Sequence, residues 1–411
     1  MGAINTKSQL EAATKFVHES GLKDLRPSFA ILDKYVSKAR KIGRNYRHSV
    51  ILTHELGISY DDGSGGNLND SIAAVYGEIV VDPSPVIARC KIAAEAASRL
   101  SNSKQSMQSA VGVRMVNLKR SLQKIAELDG LYGRSVVGLG VISAITTVGS
   151  GTETITFTDA TWAPGIWSAW EGAPLDAYSS GDAKRNANAD IIVSSVDHDN
   201  KQIVVTGNTT DLAAVVATDR LVFKGSFSIQ MYGLFYQFDT SGTVFNIDNS
   251  NYALWKSVEH AVGGQLTMAE ILEGLAKADA RAGLDEDCVL LVSPITWQKL
   301  NDDLSALREF GPEIKNAENG AKSIKFNGHF GMIEIVGHAF MMEGYAKAFP
   351  KNSLVKVGSE PEITFKNVAS DKEETWTALE DADAYQARAR FSFQYILPKL
   401  GCCVLYSGIT N

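Results

Sequence analysis

Seven histidines and two pairs of adjacent aspartates hold most of the chemistry visible in this chain, and their spacing decides what they can do. A metal site needs three or four N, O or S ligands converging on one point. His18, His48, His54, His198, His260, His329 and His338 are scattered, none with a close ligand partner in sequence, and neither HExxH nor GxSxG occurs. His48 and His54 share a face of an expected strand, but six extended residues separate them by roughly 20 Å. Both are expected at a hairpin surface. Asp61 with Asp62, and Asp302 with Asp303, offer paired carboxylates for a metal or for acid–base work, yet no basic or histidine partner accompanies either pair, and solvated acids are expected.

The other candidate motifs are equally incomplete. GSGG at 63–66 is rich in glycine like a phosphate-cradling loop but lacks the Lys-Ser/Thr ending and a following helix. Gly138-Leu139-Gly140 begins like a dinucleotide fingerprint, but the third glycine is missing, so a turn after Leu131-Tyr132-Gly133 is expected. Cys90, Cys288, Cys402 and Cys403 form no CxxC pair and no zinc spacing, which points to neither a metal nor a disulfide framework and fits a reducing cytoplasm. Trp162, Trp167 and Trp170 lie within nine residues beside Pro164-Gly165. They suit a carbohydrate platform or the packing of a thin β domain, and packing is the expected role. No catalytic, metal or cofactor residue is therefore expected, and no enzyme.

A length of 411 residues exceeds one ordinary core and predicts about two or three units. With 45% hydrophobic and 21% charged residues the composition is that of a folded protein. Net charge -7 gives no general nucleic-acid footprint. The first residues, MGAINTKSQLEAATKF, lack the apolar stretch of a secretory signal, and no run approaches a membrane span. Met1-Gly2-Ala3 with Thr6 matches a myristoylation site only weakly.

Two helical stretches are predicted over 8–42, marked by Leu10, Phe16 and Val17, then by Phe29, Leu32, Tyr35 and Val36, and ending in a basic run of Lys38, Arg40, Lys41, Arg44 and Arg47, read as a solvated helix end. His48 to about Ala88 reads as a long β-hairpin with a glycine-rich tip. Met107, Val111, Met115, Leu118, Leu122, Ile125 and Leu128 predict an amphipathic helix from Ser103 to Gly130 with one buried face. Lys104, Arg114, Lys119, Arg120, Lys124 and Glu127 lie on its solvated or subunit-facing side. Residues 152–225 read as a small all-β unit through ETITF, IIVSSVDHDNKQIVV with a turn near Asp199-Asn200, and DRLVF. A helix over 266–282, the buried strand CVLLVSP, the helix ITWQKLNDDLSALREF and the strands MIEIVGHAF, SLVKVG and EITF follow. YQARARFSFQYILP and CCVLYS then read as paired strands. The mixture is α+β.

The order of these segments resembles the major capsid proteins of tailed bacteriophages built on the Hong Kong 97 type fold. The resemblance rests on the hairpin, the helix at 103–130, LYGRSVVGLGVIS, WAPGIWSAWEGAPLD, GTVFNIDNSNYALW, LTMAEILEGLAKADARAGLDEDCVLLVSPITWQKLNDDLSALREF and YQARARFSFQYILPKLGCCVLYSG. It implies an N-terminal arm (1–46), an extended E-loop hairpin (47–98), a spine helix with the first part of a peripheral domain (99–144), an inserted small β domain (145–228) and a return segment of the peripheral domain (229–262). An axial domain (263–350) and C-terminal peripheral-domain strands (351–411) complete it. It further implies a virion protein, made in the host cytoplasm, that assembles with itself as hexamers and pentamers into an icosahedral head around double-stranded DNA without reading its sequence. No long coiled-coil region precedes the arm, so a separate scaffolding protein is expected, besides a portal and possible cementing or decoration protein. An encapsulin-like shell around cargo enzymes is the first alternative; an α+β carbohydrate-active enzyme is the second. The type member joins subunits through a hairpin lysine, and none stands between His48 and Ala88, so this chain is expected to lack that covalent lock.

Overall fold

A computed structural model describes residues 31–41, 45–61, 63, 65, 68–94, 104–302, 323–328, 330–365 and 376–411, with backbone alone for 39–41, 104–113 and 323. The first predicted helical stretch with Leu10, Phe16 and Val17, the start of the second with Phe29, and Arg44, Asp62, Asp303, His18, His329 and the side chains of Met107 and Val111 lie outside it. Where a second helix is predicted, the i, i+3, i+4 spacing of Leu32, Tyr35 and Val36 supports only a 3-10 turn, Leu32–Tyr35. The chain then runs as strand β1, Val36–Lys41, parallel to β18 (Leu354–Thr364). Lys38, Arg40 and Lys41 of the basic run thus lie on a sheet edge and not at a helix end, because pairing with a partner strand outweighs a weak local helix preference.

The hairpin forms as predicted: β2 (Tyr46–Ile51) pairs antiparallel with β3 (Tyr76–Val81), and a bridge between Leu56 and Ile72 continues it outward. Strand β4 (Ser84–Ala93) follows, then helix α1 (Lys104–Tyr132). Gly130 does not end that helix. A Cβ there would stand 2.9 Å from Leu32 and Tyr395, so the glycine permits close packing.

Next comes the β-rich stretch: β5 (Ile142–Gly149), β6 (Thr152–Phe157), α2 (Pro164–Trp167), β7 (Pro174–Tyr178), β8 (Ile191–Asp197), β9 (Gln202–Thr206), α3 (Thr209–Ala214) and β10 (Arg220–Phe223). The sheet order is β10-β7-β8-β9-β6-β5. Its ends are joined by Leu139 N to Leu221 O (2.8 Å) and Ile142 N to Asp219 O (2.9 Å), which closes the six strands on themselves. Ile155, Phe157, Val193, Ile203, Val205 and Leu221 alternate into the buried interior. The predicted turn at Asp199-Asn200 links β8 to β9.

After α4 (Leu234–Gln237) and the small ribbon of β11 (Thr243–Val244) and β12 (Ile247–Asp248) come β13 (Val258–Ala261), α5 (Met268–Ala282), β14 (Cys288–Val292), α6 (Pro294–Asp302), β15 (Ser323–Gly328), β16 (Gly331–Gly337) and β17 (Ala346–Pro350). Thr267 caps α5 by accepting from Glu270 N, and Gly283 ends it at φ 66°. Beyond β18 lie β19 (Trp376–Ala378), β20 (Ala384–Ile396) and β21 (Val404–Ser407). SLVKVG and EITF prove to be one strand, β18. Strands β20 and β21, predicted as a pair, belong to different sheets: β20 joins β18, β19 and β4, whereas β21 lies between β13 and β17 in the order β13-β21-β17-β14-β16-β15. Helix α1 packs across β4, β18 and β20, while α5 covers β13 and β21, giving two apolar cores.

Candidate functional site

The hairpin is built as a projecting arm. At its base Leu52, Ile79 and Val81 are buried in the same apolar core as Val244, Phe245 and Ile247 of the β11–β12 ribbon. Gly77 permits that contact, since a Cβ would fall 2.8 Å from Ile247 and Leu52. The rest of the arm is bare. Of nineteen large hydrophobic residues exposed among the described ones, eight lie between Ile51 and Tyr76, with Tyr60 at 96% and Leu68 at 88% exposure. Such a concentration of exposed apolar groups marks a surface that another molecule covers.

The last seven residues of α1, Ala126–Tyr132, are buried on every side, contrary to the single buried face expected from its sequence. Glu127, assigned to the solvated side, is 2% exposed. Its Oε1 accepts from Leu32 N (2.8 Å), Ile31 N (3.0 Å) and His338 Nε2 (2.9 Å). Phe340 N donates to His338 Nδ1 at 3.0 Å, so the ring's proton sits on Nε2 and points at the carboxylate. Lys124, also placed in solvent by the sequence, donates to Ser168 O at 2.6 Å and lies over Trp170. Burial pushes the carboxyl of Asp129 up to about 7, although the Gln230 amide that donates to it pulls the other way. On β17, Lys347 is fully buried with its Nζ 3.5 Å from the Phe235 ring centroid, and burial holds it well below the usual lysine range. These groups join the first helix to the two sheets, and Glu127 also lines a partly open cleft of about 210 Å³ together with Asp33, Lys119, Gln123, Lys356 and Tyr395.

The residues singled out in the sequence are not brought together. His48 and His54 are exposed on the hairpin, with His48 stacked on Tyr46. Asp61 accepts from Gly63 N in a local turn. Gly138 and Gly140 form the expected turn, held by Ser135 and Val137 and pressed against Leu221 and Phe157. Trp162 and Trp167 are buried against Phe157, which bears out their packing role; Trp170 meets Phe223. The thiols of Cys288 and Cys403 are pushed up by burial, which makes them poor nucleophiles. One cluster was missed: His260 Nε2 lies 2.5 Å from Glu270, and ligand atoms of His260, Glu270 and Glu273 fall within 4.8 Å of one another. Lys277 already bridges His260 Nδ1 (3.0 Å) and Glu273 (2.8 Å), so the four residues satisfy one another. The i, i+3 and i+7 spacing of Glu270, Glu273 and Lys277 on α5 was its only sequence signal.

No family model and no curated protein matches the sequence. Solved structures do. Over 97% of this chain and 98% of the other, the fold is similar to the subunit in the capsid asymmetric unit of cyanophage A-1(L), with TM-score 0.56 and 9% identity. It is also similar to the capsid of a native GTA particle, with TM-score 0.51 and 7% identity over 96% and 94% of the two chains. The α+β architecture is the Hong Kong 97 type capsid fold.

Proposed function

We propose that this chain is a major capsid protein that self-assembles, as hexamers and pentamers, into an icosahedral phage head around double-stranded DNA. The end-to-end likeness to the cyanophage A-1(L) capsid subunit carries the reading, because it leaves no part of this chain for a separate catalytic domain. The apolar arm supplies the physical reason: a shell subunit presents extended elements to its neighbours, and an isolated chain with this arm in water leaves its association unfinished. Residues 1–46 then act as the arm and 47–98 as the E-loop. Helix α1 serves as the spine within 99–144, and the closed β unit within 145–228 is the inserted domain. Residues 229–262 return to the peripheral domain, 263–350 form the axial domain, and 351–411 give the last peripheral strands. A scaffolding protein, a portal and a cementing or decoration protein are the partners this role calls for, and no catalytic residue, metal or cofactor is assigned.

Sedimentation of the purified chain, alone and with its candidate scaffold, tests the reading. Fast-sedimenting closed particles are expected. A chain that stays monomeric under every condition overturns it; particles filled with a protein cargo point to an encapsulin-like shell, and a monomer that binds oligosaccharide points to the enzyme alternative.

A further inference from the structure

Among the described residues one group of three metal-type ligands converges: His260 on β13 with Glu270 and Glu273 on α5, their ligand atoms within 4.8 Å of one another. The state of the imidazole sets this group apart from a patch of neighbouring acids. Lys277 Nζ stands 3.0 Å from His260 Nδ1. An ammonium can only donate, so Nδ1 carries the lone pair and the ring proton sits on Nε2, 2.5 Å from Glu270. A carboxylate that takes the N–H of one ring nitrogen and leaves the other bare is the arrangement that orients a histidine toward a metal. His260 is only 5% exposed, and the Tyr406 ring meets it edge-to-face with centroids 5.7 Å apart, so the imidazole is held in that orientation.

A cation already stands where those ligands meet. Lys277 Nζ is 3.0 Å from the bare Nδ1 and 2.8 Å from Glu273 Oε1, making with both the contacts that a divalent ion would make. The ammonium is exchangeable: its side chain is 49% exposed and that of Glu273 58%, which also opens an entry path from solvent. We propose that a zinc ion displaces the Lys277 ammonium and binds His260 Nδ1 and the Glu273 carboxylate, with Glu270 as the positioning residue behind the imidazole and water completing the shell. Zinc bonds of about 2.0–2.2 Å require each contact to shorten by about 1 Å or less, a shift that the exposed Glu273 side chain can supply. The imidazole ligand selects zinc over calcium and magnesium, which take oxygen. Bound there, the ion fastens α5 to β13, a strand at the end of its sheet that pairs with β21 alone among the described residues. The site does not depend on the shell reading.

Calorimetric titration of the chelator-washed full-length chain with Zn²⁺, followed by thermal unfolding, tests this. Wild type is expected to take up one ion per chain at this site and to melt at a higher temperature with zinc than without it. Lys277→Met, which removes the competing ammonium, should bind about twofold to fivefold tighter, the range set by ion pairs of surface strength. Zinc adsorbed elsewhere on the chain would not respond to that change. Glu273→Gln, an exposed substitution that leaves the core intact, should lose both the binding and the zinc-dependent rise in melting temperature. Glu270→Ala should weaken binding by about 10–100-fold through the loss of the imidazole's orientation. Wild-type affinity in Glu273→Gln, no tightening in Lys277→Met, or no saturable binding to either wild type or Lys277→Met overturns the proposal. Mg²⁺ bound as well as Zn²⁺ overturns it too, since that result describes an ordinary acidic surface without an imidazole ligand.

Discussion

Replacing Glu127 tests whether α1 is enclosed as the structure has it. In Glu127→Ala, Leu32 N–H and the Nε2–H of His338 lose their acceptor at buried positions, and Ile31 N–H loses its own at the margin. Each fully buried donor left unpaired costs about 1–3 kcal/mol, so the two enclosed ones predict a loss of about 2–6 kcal/mol. That is a large part of a stability margin of about 5–15 kcal/mol. Glu127→Gln keeps an acceptor oxygen but removes the charge that strengthens all three bonds, so it should lose less than the alanine variant. Urea unfolding of unassembled subunits measures both, with the exposed Glu171→Ala as a control expected within about 0.5 kcal/mol of wild type. If Glu127→Ala also falls within about 0.5 kcal/mol, the residue is on a solvated face and the packing of α1 described above is wrong.

Leu122, wholly buried on α1, should not tolerate aspartate; Leu122→Asp is expected to leave no soluble folded subunit, whereas Leu118→Asp, at a half-buried position, is the milder change. Circular dichroism of the two proteins orders them. Asp129 binds its proton more tightly when folded, with its carboxyl raised from 3.8 to about 7, so its contribution is full below about pH 4 and is lost as pH rises through about 7. Asp129→Asn should remove that slope and gain up to about 4 kcal/mol at pH 8, read from urea midpoints across pH; an unchanged slope contradicts it. Mature particles boiled in detergent and reductant should run as single chains near 44.4 kDa, because the hairpin has no lysine to form an amide with a neighbour. A ladder of larger covalent species would show otherwise.

The segments that were legible are those where one local period dominates. The hairpin alternates, α1 repeats every three or four residues, and the β-rich stretch is broken by turn residues at Asp199 and Asn200. What stayed hidden depends on distant partners. Nothing near Glu127 or Lys124 in sequence announces His338 or Ser168, so both look like solvated helix residues until the fold encloses them. Strand β17 was overlooked because AKAFP carries Lys347, a residue type that normally signals a surface. The closing of the β unit through Leu139 and Leu221 joins residues far apart in the chain. Among the described residues the chemistry-bearing side chains singled out in the sequence stand apart or are spent on packing, as Trp162 and Trp167 are against Phe157.

Electron microscopy of particles assembled from the purified chain is the most direct test of the shell reading. The account predicts closed icosahedral shells whose reconstruction shows five- and sixfold clusters of this fold, each hairpin lying across a neighbouring copy. Discrete monomers, or open aggregates without fivefold vertices, under every assembly condition would contradict it.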